Sequence, residues 1–433
     1  MKQTEVLIIG AGAAGLMAAH TLVKAGKNVT LLEARNRIGG RIHTLVNQSF
    51  FKHAELGAEF VHGNLPVTLN LLNEAGISYT SAHGEFWHYE NGKFSQDEQQ
   101  IEHWDLLMKK LNDLKQDTTI GEFLEQQFGD DKYTHLRESV RKYVSGYDTA
   151  DPYKASCFAL RKEWQNEDED AQYRIDGGYI RMVDYLAGEI KANGSALLLN
   201  KPVKVIHWEH SSVEAITMDG ASYHAEKLII ALPLGILQVD KDEAGAIIFS
   251  PAIPQYGEAI QQMGFGSIIK ILLEFKRSFW EDEKITKLAG GSLKEMGFLL
   301  SNEEIPTWWT QFPQHSTVLT GWLGGPPARA KKNIPDEQIL QQGIESLANI
   351  FKMDFDELKE NLIAWNVVNW TADPFTLGSY AYDTVSAPVA RKTLTQPINH
   401  TIYFAGEYLY DGPAMGTVEA ALTSGMEVAK KLI

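Results

Sequence analysis

The sequence predicts an α/β + α+β protein of two domains, one of them built on a Rossmann-like, doubly wound sheet. A strand–helix–strand unit with a glycine-rich turn occupies the first 33 residues. Further buried strands appear in the middle and near the end of the chain. The length of 433 residues exceeds what one ordinary hydrophobic core supports, so a second domain is expected.

The N-terminal unit is read from its apolar pattern. Residues 5–10 form a continuous apolar run closed by glycine, which predicts a short buried strand. Residues 13–25 place small and apolar side chains at helical spacing, and Gly26 suits the end of that helix. Residues 28–33 form a second apolar run. Together they predict the start of a doubly wound sheet.

The later elements are predicted in the same way. Residues 77–189 look largely helical, and residues 201–206 and 212–218 alternate like antiparallel strands. Apolar runs predict strands at residues 227–231, 267–275 and 401–406, and residues 415–433 predict a last helix.

The turn after the first strand fits a dinucleotide-binding fingerprint. Gly10 permits a tight turn, Gly12 lets the backbone approach a pyrophosphate, and Gly15 lets the helix pack close to the strand. The helix N-terminus offers free N–H groups to phosphates. Glu33 ends the second strand, where a carboxylate accepts hydrogen bonds from ribose hydroxyls and repels a 2′-phosphate. NADP is therefore disfavoured.

The residues after Glu33 distinguish FAD from NAD. Arg35 follows closely, and Gly39-Gly40-Arg41 comes just beyond it. This stretch can lay backbone and a cation along a long cofactor, which favours a flavin.

Composition excludes several classes of function. A formal net charge of −16 argues against non-specific nucleic-acid binding and fits cationic small molecules, although solubility alone also explains it. No apolar stretch reaches about 18 residues, so no membrane partner is expected. Cys157 is the only cysteine, which excludes an internal disulfide, and no metal-ligand spacing is present. With no signal-like segment visible, a cytoplasmic location is expected.

Ordered motifs spread over most of the chain resemble those of the flavin amine oxidases. This family includes monoamine oxidases, polyamine oxidases and flavin-dependent histone lysine demethylases; the motifs are closest in style to polyamine oxidases. The motifs are residues 10–15, 32–35, 39–41, 55–58, 177–179, 227–237, 370–380, 404–407 and 416–420, together with Lys270.

The resemblance implies two interleaved domains. Residues 1–76, 190–262 and 366–433 would form the FAD-binding domain, and residues 77–189 and 263–365 the substrate-binding domain. FAD would be bound by Gly10, Gly12, Ala14, Gly15, Glu33, Ala34, Arg35, Gly40, Arg41, Gly57, Ala58, Glu59, Val203, Trp370, Gly406, Glu407, Thr417 and Val418.

Three residues are the candidates for catalysis. Lys270 interrupts an apolar strand, and the resemblance implies that it holds a water against the flavin and assists the reaction with oxygen. The alternative is a lysine at the sheet rim that reaches water. The resemblance makes Tyr380 an aromatic wall beside the flavin. The facing position is Thr417, so a two-walled aromatic box is in doubt. His62 could hydrogen-bond a substrate amine, or it could be a turn residue.

Two further features bear on the site. Ser379 occupies the position where mitochondrial monoamine oxidases carry a flavin-linking cysteine, so the resemblance implies non-covalent FAD. Trp308 and Trp309 could line a substrate tunnel, although paired tryptophans are more often core residues.

The function expected from the resemblance is oxidation of an amine C–N bond to an imine, with oxygen reoxidising the flavin. A polyamine is the favoured substrate, on His62 and the acidic composition. The alternatives are an L-amino-acid or monoamine oxidase, a flavin desaturase, and a flavin-binding scaffold with little turnover. The sequence leaves the oligomeric state open.

Overall fold

The computed structural model describes residues 4–46, 49–96, 101–166, 172–240, 243 and 245–433. Its strands, in chain order, are β1 Val6–Ile9, β2 Val29–Leu32, β3 Val61–His62, β4 Tyr79–Ser81, β5 Glu85–Glu90, β6 Lys93–Ser95, β7 Gln172–Ile175, β8 Ala196–Leu198, β9 Val203–Glu209, β10 Ser212–Thr217, β11 Ser222–Ala225, β12 Lys227–Ile230, β13 Ile248–Ser250, β14 Gly264–Phe265, β15 Ile268–Phe275, β16 Met296–Ser301, β17 Thr307–Trp309, β18 Val318–Gly324, β19 Leu362–Val368, β20 Ala381–Tyr382 and β21 Ile402–Phe404. Its α-helices are α1 Ala13–Lys24, α2 Pro66–Glu74, α3 Trp104–Asp113, α4 Ile120–Gln127, α5 Thr134–Gly146, α6 Cys157–Trp164, α7 Ile180–Ala192, α8 Leu234–Leu237, α9 Pro254–Gln262, α10 Glu283–Ala289, α11 Gly325–Ala330, α12 Asp336–Phe351, α13 Phe355–Asn361, α14 Ala387–Leu394 and α15 Val418–Lys430.

A five-stranded parallel sheet forms the centre of one domain. Its strand order is β21-β12-β1-β2-β8, with Val6 opposite both Lys227 and Val29. Every residue of β1 is buried, because both faces of the sheet are covered. Ile8 packs in the core that contains α1, α7 and α15, whereas Leu7 packs in the core that contains β9, β10, α9 and α14. The predicted doubly wound architecture is confirmed.

A seven-stranded mixed sheet forms the centre of the other domain. Its order is β19-β15-β18-β17-β16-β5-β6, and β15 pairs antiparallel with both β18 and β19. Its core includes Trp280, Trp308 and Phe351, and α12 contributes apolar residues to the same core. This sheet carries Lys270 on β15, directly opposite Trp322 on β18.

The segment from residue 77 to 189 is less helical than predicted. Helices α3 to α6 share one apolar cluster, as expected of a helical segment. However, β4 to β7 also lie in this range, and β5 pairs in parallel with β16 from a distant part of the chain. That pairing cannot be read from local periodicity. None of the helices in the described part of the chain is both long and apolar enough to cross a membrane.

Each of the two main sheets takes its strands from separate segments of the chain, as two interleaved domains require. The strands of the parallel sheet come from residues 6–9, 29–32, 196–198, 227–230 and 402–404. The strands of the mixed sheet come from residues 85–95 and 268–368. We propose the domain limits given above as the division of the chain; β19 is the strand that crosses one of them.

Helices α1 and α15 approach each other closely beside the parallel sheet. A Cβ atom at Gly425 on α15 would lie 2.1 Å from the carbonyl oxygen of Ala14 on α1. The two backbones therefore meet only because residue 425 is glycine. This contact holds the last helix of the chain against the helix that follows the glycine-rich turn.

We expect Gly425→Ala to destabilise the protein by about 1–3 kcal/mol, because the added methyl group forces the two helices apart. Gly188→Ala is the matched control, since Gly188 is an exposed helical glycine with open space around its Cβ position. Thermal unfolding of both FAD-free variants measures the difference. An unfolding midpoint for Gly425→Ala equal to that of Gly188→Ala would contradict the close packing.

Candidate active site

One large cavity runs from the parallel sheet to the mixed sheet. Its volume is about 2830 Å³, well above the roughly 300–1000 Å³ of ordinary small-ligand pockets. All the predicted site residues line this cavity except Gly15. The space is therefore large enough for a long cofactor together with a substrate.

The glycine-rich turn has the geometry that a dinucleotide requires. Gly10 has a φ of +102°, and a Cβ there would lie 2.4 Å from the carbonyl oxygen of Ala231. A Cβ at Gly15 would lie 1.9 Å from the carbonyl oxygen of Gly10, which explains why Gly15 packs helix against strand and does not line the cavity. Gly12 leaves open space on the cavity side.

The N-terminus of α1 completes this cradle. Gly12 is the N-cap residue and offers no side-chain hydrogen bond, and the first turn contains no acidic residue. The orphan N–H groups of the helix therefore remain for an anion, and the helix dipole favours negative charge at the same point. These features fit the pyrophosphate of a dinucleotide.

The Glu33 carboxylate is held in place by the backbone. It accepts the N–H of Ala11 at 2.8 Å and the N–H of Arg35 at 2.9 Å. Glu33 is buried yet lines the cavity, and each oxygen keeps a free lone-pair site. This arrangement suits the ribose-binding role predicted for it.

The two arginines at this end of the cavity are each paired with a carboxylate. The Arg35 guanidinium makes a bidentate ion pair with Asp373, in which Nη1 lies 3.1 Å from Oδ2, and it also donates to the Thr376 hydroxyl. Arg41 makes a bidentate pair with Glu407, at 2.7 and 2.6 Å. Their positive charges are therefore largely balanced. We expect the attraction for the pyrophosphate to come mainly from the N-terminus of α1.

The last helix also directs its N-terminus at the cavity. The predicted helix over residues 415–433 begins at Val418, and Thr417 caps it by accepting the N–H of Ala420 at 3.2 Å. Gly416, Thr417 and Val418 all line the cavity. A helix N-terminus stabilises negative charge, so this position suits a cofactor edge that becomes anionic on reduction.

Lys270 is buried inside the protein and does not reach the surface. It is 1% exposed, and its ammonium donates to Glu59 Oε2 at 2.6 Å and to the carbonyl oxygen of Gly57 at 3.3 Å. The alternative of a lysine at the sheet rim is therefore wrong. Lys270 lines the cavity, as a role beside the cofactor requires.

Glu59 forms a buried charge cluster with Lys270 and Arg174. Its other oxygen accepts hydrogen bonds from the Arg174 guanidinium and from the Trp309 indole, the latter at 3.0 Å. Burial acts to raise the pKa of Glu59, but the charges of Lys270 and Arg174 and the hydrogen bonds outweigh it and lower the pKa to about 2. Glu59 lines the cavity, and its predicted contact with the cofactor stays a prediction.

His62 lines the cavity, and its side chain is exposed to that open space. Desolvation by the protein atoms around the cavity lowers its pKa to about 4, and a hydrogen bond with Gln172 and the charge of Glu59 oppose that effect only in part. The residue type alone suggests titration near neutral pH, and the lowered pKa favours a neutral imidazole there. The His62 ring stands edge-on to Tyr147 with 6.2 Å between ring centroids.

Aromatic side chains surround this part of the cavity even though Thr417 is not aromatic. The ring of Tyr380 packs against Gly416, and its hydroxyl donates to the carbonyl oxygen of Tyr147. Tyr147, Tyr380 and His62 therefore belong to one cluster. Tyr147 supplies an aromatic ring that no sequence motif predicts at this position.

The two neighbouring tryptophans have different roles because they alternate along β17. Trp308 is fully buried in the core of the mixed sheet, and its indole donates to the carbonyl oxygen of Ile305. Trp309 lines the cavity and donates to Glu59. The expectation of a core pair therefore holds for only one of them.

Sequence reasoning missed three residues of this site: Arg174, Tyr147 and Asp373. Arg174 lies on β7, in the segment expected to be mainly helical. Tyr147 directly follows α5, and no motif marks it. Asp373 lies within the motif at residues 370–380, so that motif was the available signal for it.

A family model described as flavin-containing amine oxidoreductase matches residues 13–433. The chain belongs to this family. FAD is therefore its cofactor, and amine oxidation is the chemistry of its class.

The curated relatives include enzymes with different names. Lysine-specific histone demethylase 2 of Homo sapiens is 28% identical, over 99% of this chain and 53% of that protein. Polyamine oxidase 4 of Oryza sativa subsp. japonica is 26% identical, over 98% of this chain and 88% of that protein. The chain thus spans about half the length of the histone demethylase that it matches.

Solved structures share the two-domain fold. Wild-type putrescine oxidase bound to putrescine gives a TM-score of 0.79 at 20% identity, covering 99% of both chains. Cyclohexylamine oxidase from Brevibacterium oxydans IH-35A gives the same TM-score, identity and coverage. At this identity the likeness shows the fold alone.

The structure offers no thiol to link the flavin. Ser379 is buried beside Thr149, with 2.5 Å between the two hydroxyl oxygens. Cys157 does not line the cavity among the described residues, and burial raises the pKa of its thiol to about 12. A protonated thiol outside the cavity cannot attack a flavin.

We expect acid precipitation of the FAD-loaded protein to release all yellow colour into the supernatant, because no cysteine lines the described part of the cavity. Absorbance of the supernatant and of the redissolved pellet measures the partition. Colour that remains with the pellet would contradict non-covalent binding.

Proposed function

We propose that this protein oxidises a C–N bond of a polyamine and passes the electrons to oxygen. The product would be an imine that water hydrolyses to an aldehyde and a smaller amine, together with hydrogen peroxide. The observation that carries the proposal is the lining of the cavity beyond Lys270, which combines carboxylates, aromatic rings and a neutral histidine.

Away from the glycine-rich turn, the cavity is lined by residues on or next to β5, α3, α5, α6 and the loop after β16, and we call this part the outer end. Carboxylates predominate among its charged groups. They are Glu85, Glu90, Glu102, Asp105, Glu138, Asp148, Glu163, Glu303 and Glu304. Lys142 lines the same region and donates to Asn302 at 2.7 Å. A cavity lined by one sign of charge attracts ligands of the opposite sign, so this lining favours a molecule with several ammonium groups.

An amino acid fits this cavity less well than a polyamine. A substrate carboxylate is best bound by an arginine. Among the described residues that line the cavity, the arginines are Arg35 and Arg41, and both already hold carboxylates at the FAD end. The outer carboxylates would also repel an amino acid.

The aromatic cluster suits an amine at the reactive position. The rings of Tyr380 and Tyr147 can attract a cation through their faces as the substrate enters. His62, neutral at physiological pH, can accept a hydrogen bond from the amine without repelling it. Loss of hydride requires the neutral amine, and the surrounding apolar rings favour that form by excluding water.

Bound FAD supplies the hydride acceptor and the centre that reacts with oxygen. The chain's own residues position and shield the reacting groups. The α15 N-terminus stabilises negative charge at its end of the cavity, and Lys270 places a fixed positive charge at the wall. Tyr380 and His62 orient the amine.

The names of the relatives support an amine substrate and leave its size open. Polyamine oxidase 4 and putrescine oxidase favour a polyamine or diamine, whereas cyclohexylamine oxidase favours a simple amine. Monoamine oxidation is therefore the second candidate. The acidic outer end of the cavity, which a monoamine would not use, decides our preference.

We expect spermidine or spermine to bleach the flavin absorbance under anaerobic conditions, and benzylamine and amino acids to leave it unchanged. The reason is that only a polycation engages the outer carboxylates and the reactive position together. Titration followed by visible spectroscopy measures this. If benzylamine or amino acids bleach the flavin and polyamines do not, the polyamine proposal is overturned. If no amine bleaches the flavin, a desaturase or a flavin-binding scaffold is favoured instead.

We expect His62→Asn to weaken polyamine binding by roughly tenfold, because the amine would lose a hydrogen-bond acceptor on the cavity wall. The pH dependence of flavin reduction should keep its shape between about pH 6 and 9, because His62 stays neutral there. Anaerobic stopped-flow measurements across this range provide the test. A wild-type transition near pH 6.5 that disappears in His62→Asn would contradict the lowered pKa. His224→Asn, on the exposed side of β11, is the control.

A further inference from the structure

We propose that Glu59 is a positioning residue for Lys270. In this arrangement Arg174 and Trp309 fix the Glu59 carboxylate, and Glu59 in turn holds the Lys270 ammonium at the cavity wall. The inference rests on the proposed function in one respect, since it takes Lys270 as the residue that assists the reaction of reduced FAD with oxygen.

The lysine side chain needs such a support. Lys270 lies on β15 between buried apolar residues, and its long flexible stem has no fixed end of its own. Of its three N–H donors, one binds Glu59 at 2.6 Å and one binds the Gly57 carbonyl oxygen at the longer distance of 3.3 Å. Lys270 makes these two hydrogen bonds within the described part of the chain. Its third N–H is therefore available to a group in the cavity that Lys270 lines.

The Glu59 carboxylate is itself fixed from the side away from Lys270. Its Oε1 accepts from the Arg174 guanidinium and from the Trp309 indole. Arg174 also donates to the carbonyl oxygen of Thr310 at 2.9 Å and to Gln311 at 3.0 Å, and it stacks on Phe60. The carboxylate is therefore held by groups from β7 and β17, and it cannot follow Lys270 if the ammonium moves.

The charges also favour this role. Glu59 is an anion between the two cations Lys270 and Arg174, and the buried Glu55 carboxyl, whose pKa burial raises to about 7, is the other acidic group that interacts with Lys270. Replacing Glu59 by glutamine would leave two buried cations facing each other without their shared counter-ion. The flexible member of the pair is Lys270, so we expect its ammonium to leave its position at the cavity wall.

The test measures reoxidation of dithionite-reduced FAD by oxygen in the FAD-loaded protein, a reaction that needs no amine. We expect Glu59→Gln to slow reoxidation by roughly tenfold or more, towards the rate of Lys270→Met. In the Lys270→Met background, Glu59→Gln should cause no further slowing, because Glu59 acts through Lys270. Glu274→Gln, on the same strand but bound to the backbone of Phe51, should leave the rate unchanged.

A second readout separates positioning from a general structural role. The reduction potential of bound FAD should shift in Glu59→Gln, and the double variant should match Lys270→Met. If Glu59→Gln fails to hold FAD, Arg174→Gln tests the same chain of contacts, and we expect a smaller slowing that again requires Lys270.

The possible results separate the inference from the proposed function. Slowing by Lys270→Met with no effect of Glu59→Gln, or effects of the two variants that multiply, would overturn the positioning role alone. An unchanged rate in Lys270→Met would overturn the role of Lys270 and the inference with it. The choice of a polyamine substrate is tested separately by the amine titration.

Discussion

The buried cluster of Arg174, Glu59 and Lys270 is the interaction on which the rest of the site depends. Its members come from three distant parts of the chain, and Trp309 adds a fourth. Breaking a buried ion pair by removing one partner is strongly destabilising, so these segments are held together where the two domains meet. The same contacts fix the position of Lys270 at the cavity wall. A change in how these segments pack would therefore also change the geometry of the site.

The two ends of the cavity differ in how they treat charge. At the FAD end, the cations Arg35 and Arg41 are neutralised by Asp373 and Glu407, and helix N-termini supply the field for anionic parts of the cofactor. At the outer end, carboxylates line the walls. Between them lie Lys270 and the rings of Tyr147 and Tyr380 beside His62. We propose that an amine attracted at the outer end exchanges its water for contacts with these rings as it reaches the reactive position.

The sequence predicts this fold well where the signal is local. The β1–α1–β2 unit was found within a residue or two, because its apolar runs and glycines each have a local cause. The strand β5 was missed, because its partner β16 lies some 200 residues away in the chain. The site shows the same division. The sequence motifs identify Lys270 and Glu59 as site residues, but the ion pair between them depends on tertiary structure and could not be predicted. Tyr147, which contacts His62, comes from a region without a motif.

A crystal structure of the FAD-loaded protein, soaked without oxygen with spermidine, tests the central claim most directly. We expect FAD to extend from Gly12 to Thr417, with the Glu59-bound ammonium of Lys270 facing the flavin ring. One amino group should lie between Tyr380 and His62, and the distal amino group among the outer carboxylates. A spermidine molecule bound outside this cavity, or a Lys270 that turns away from both Glu59 and the flavin, would contradict the account.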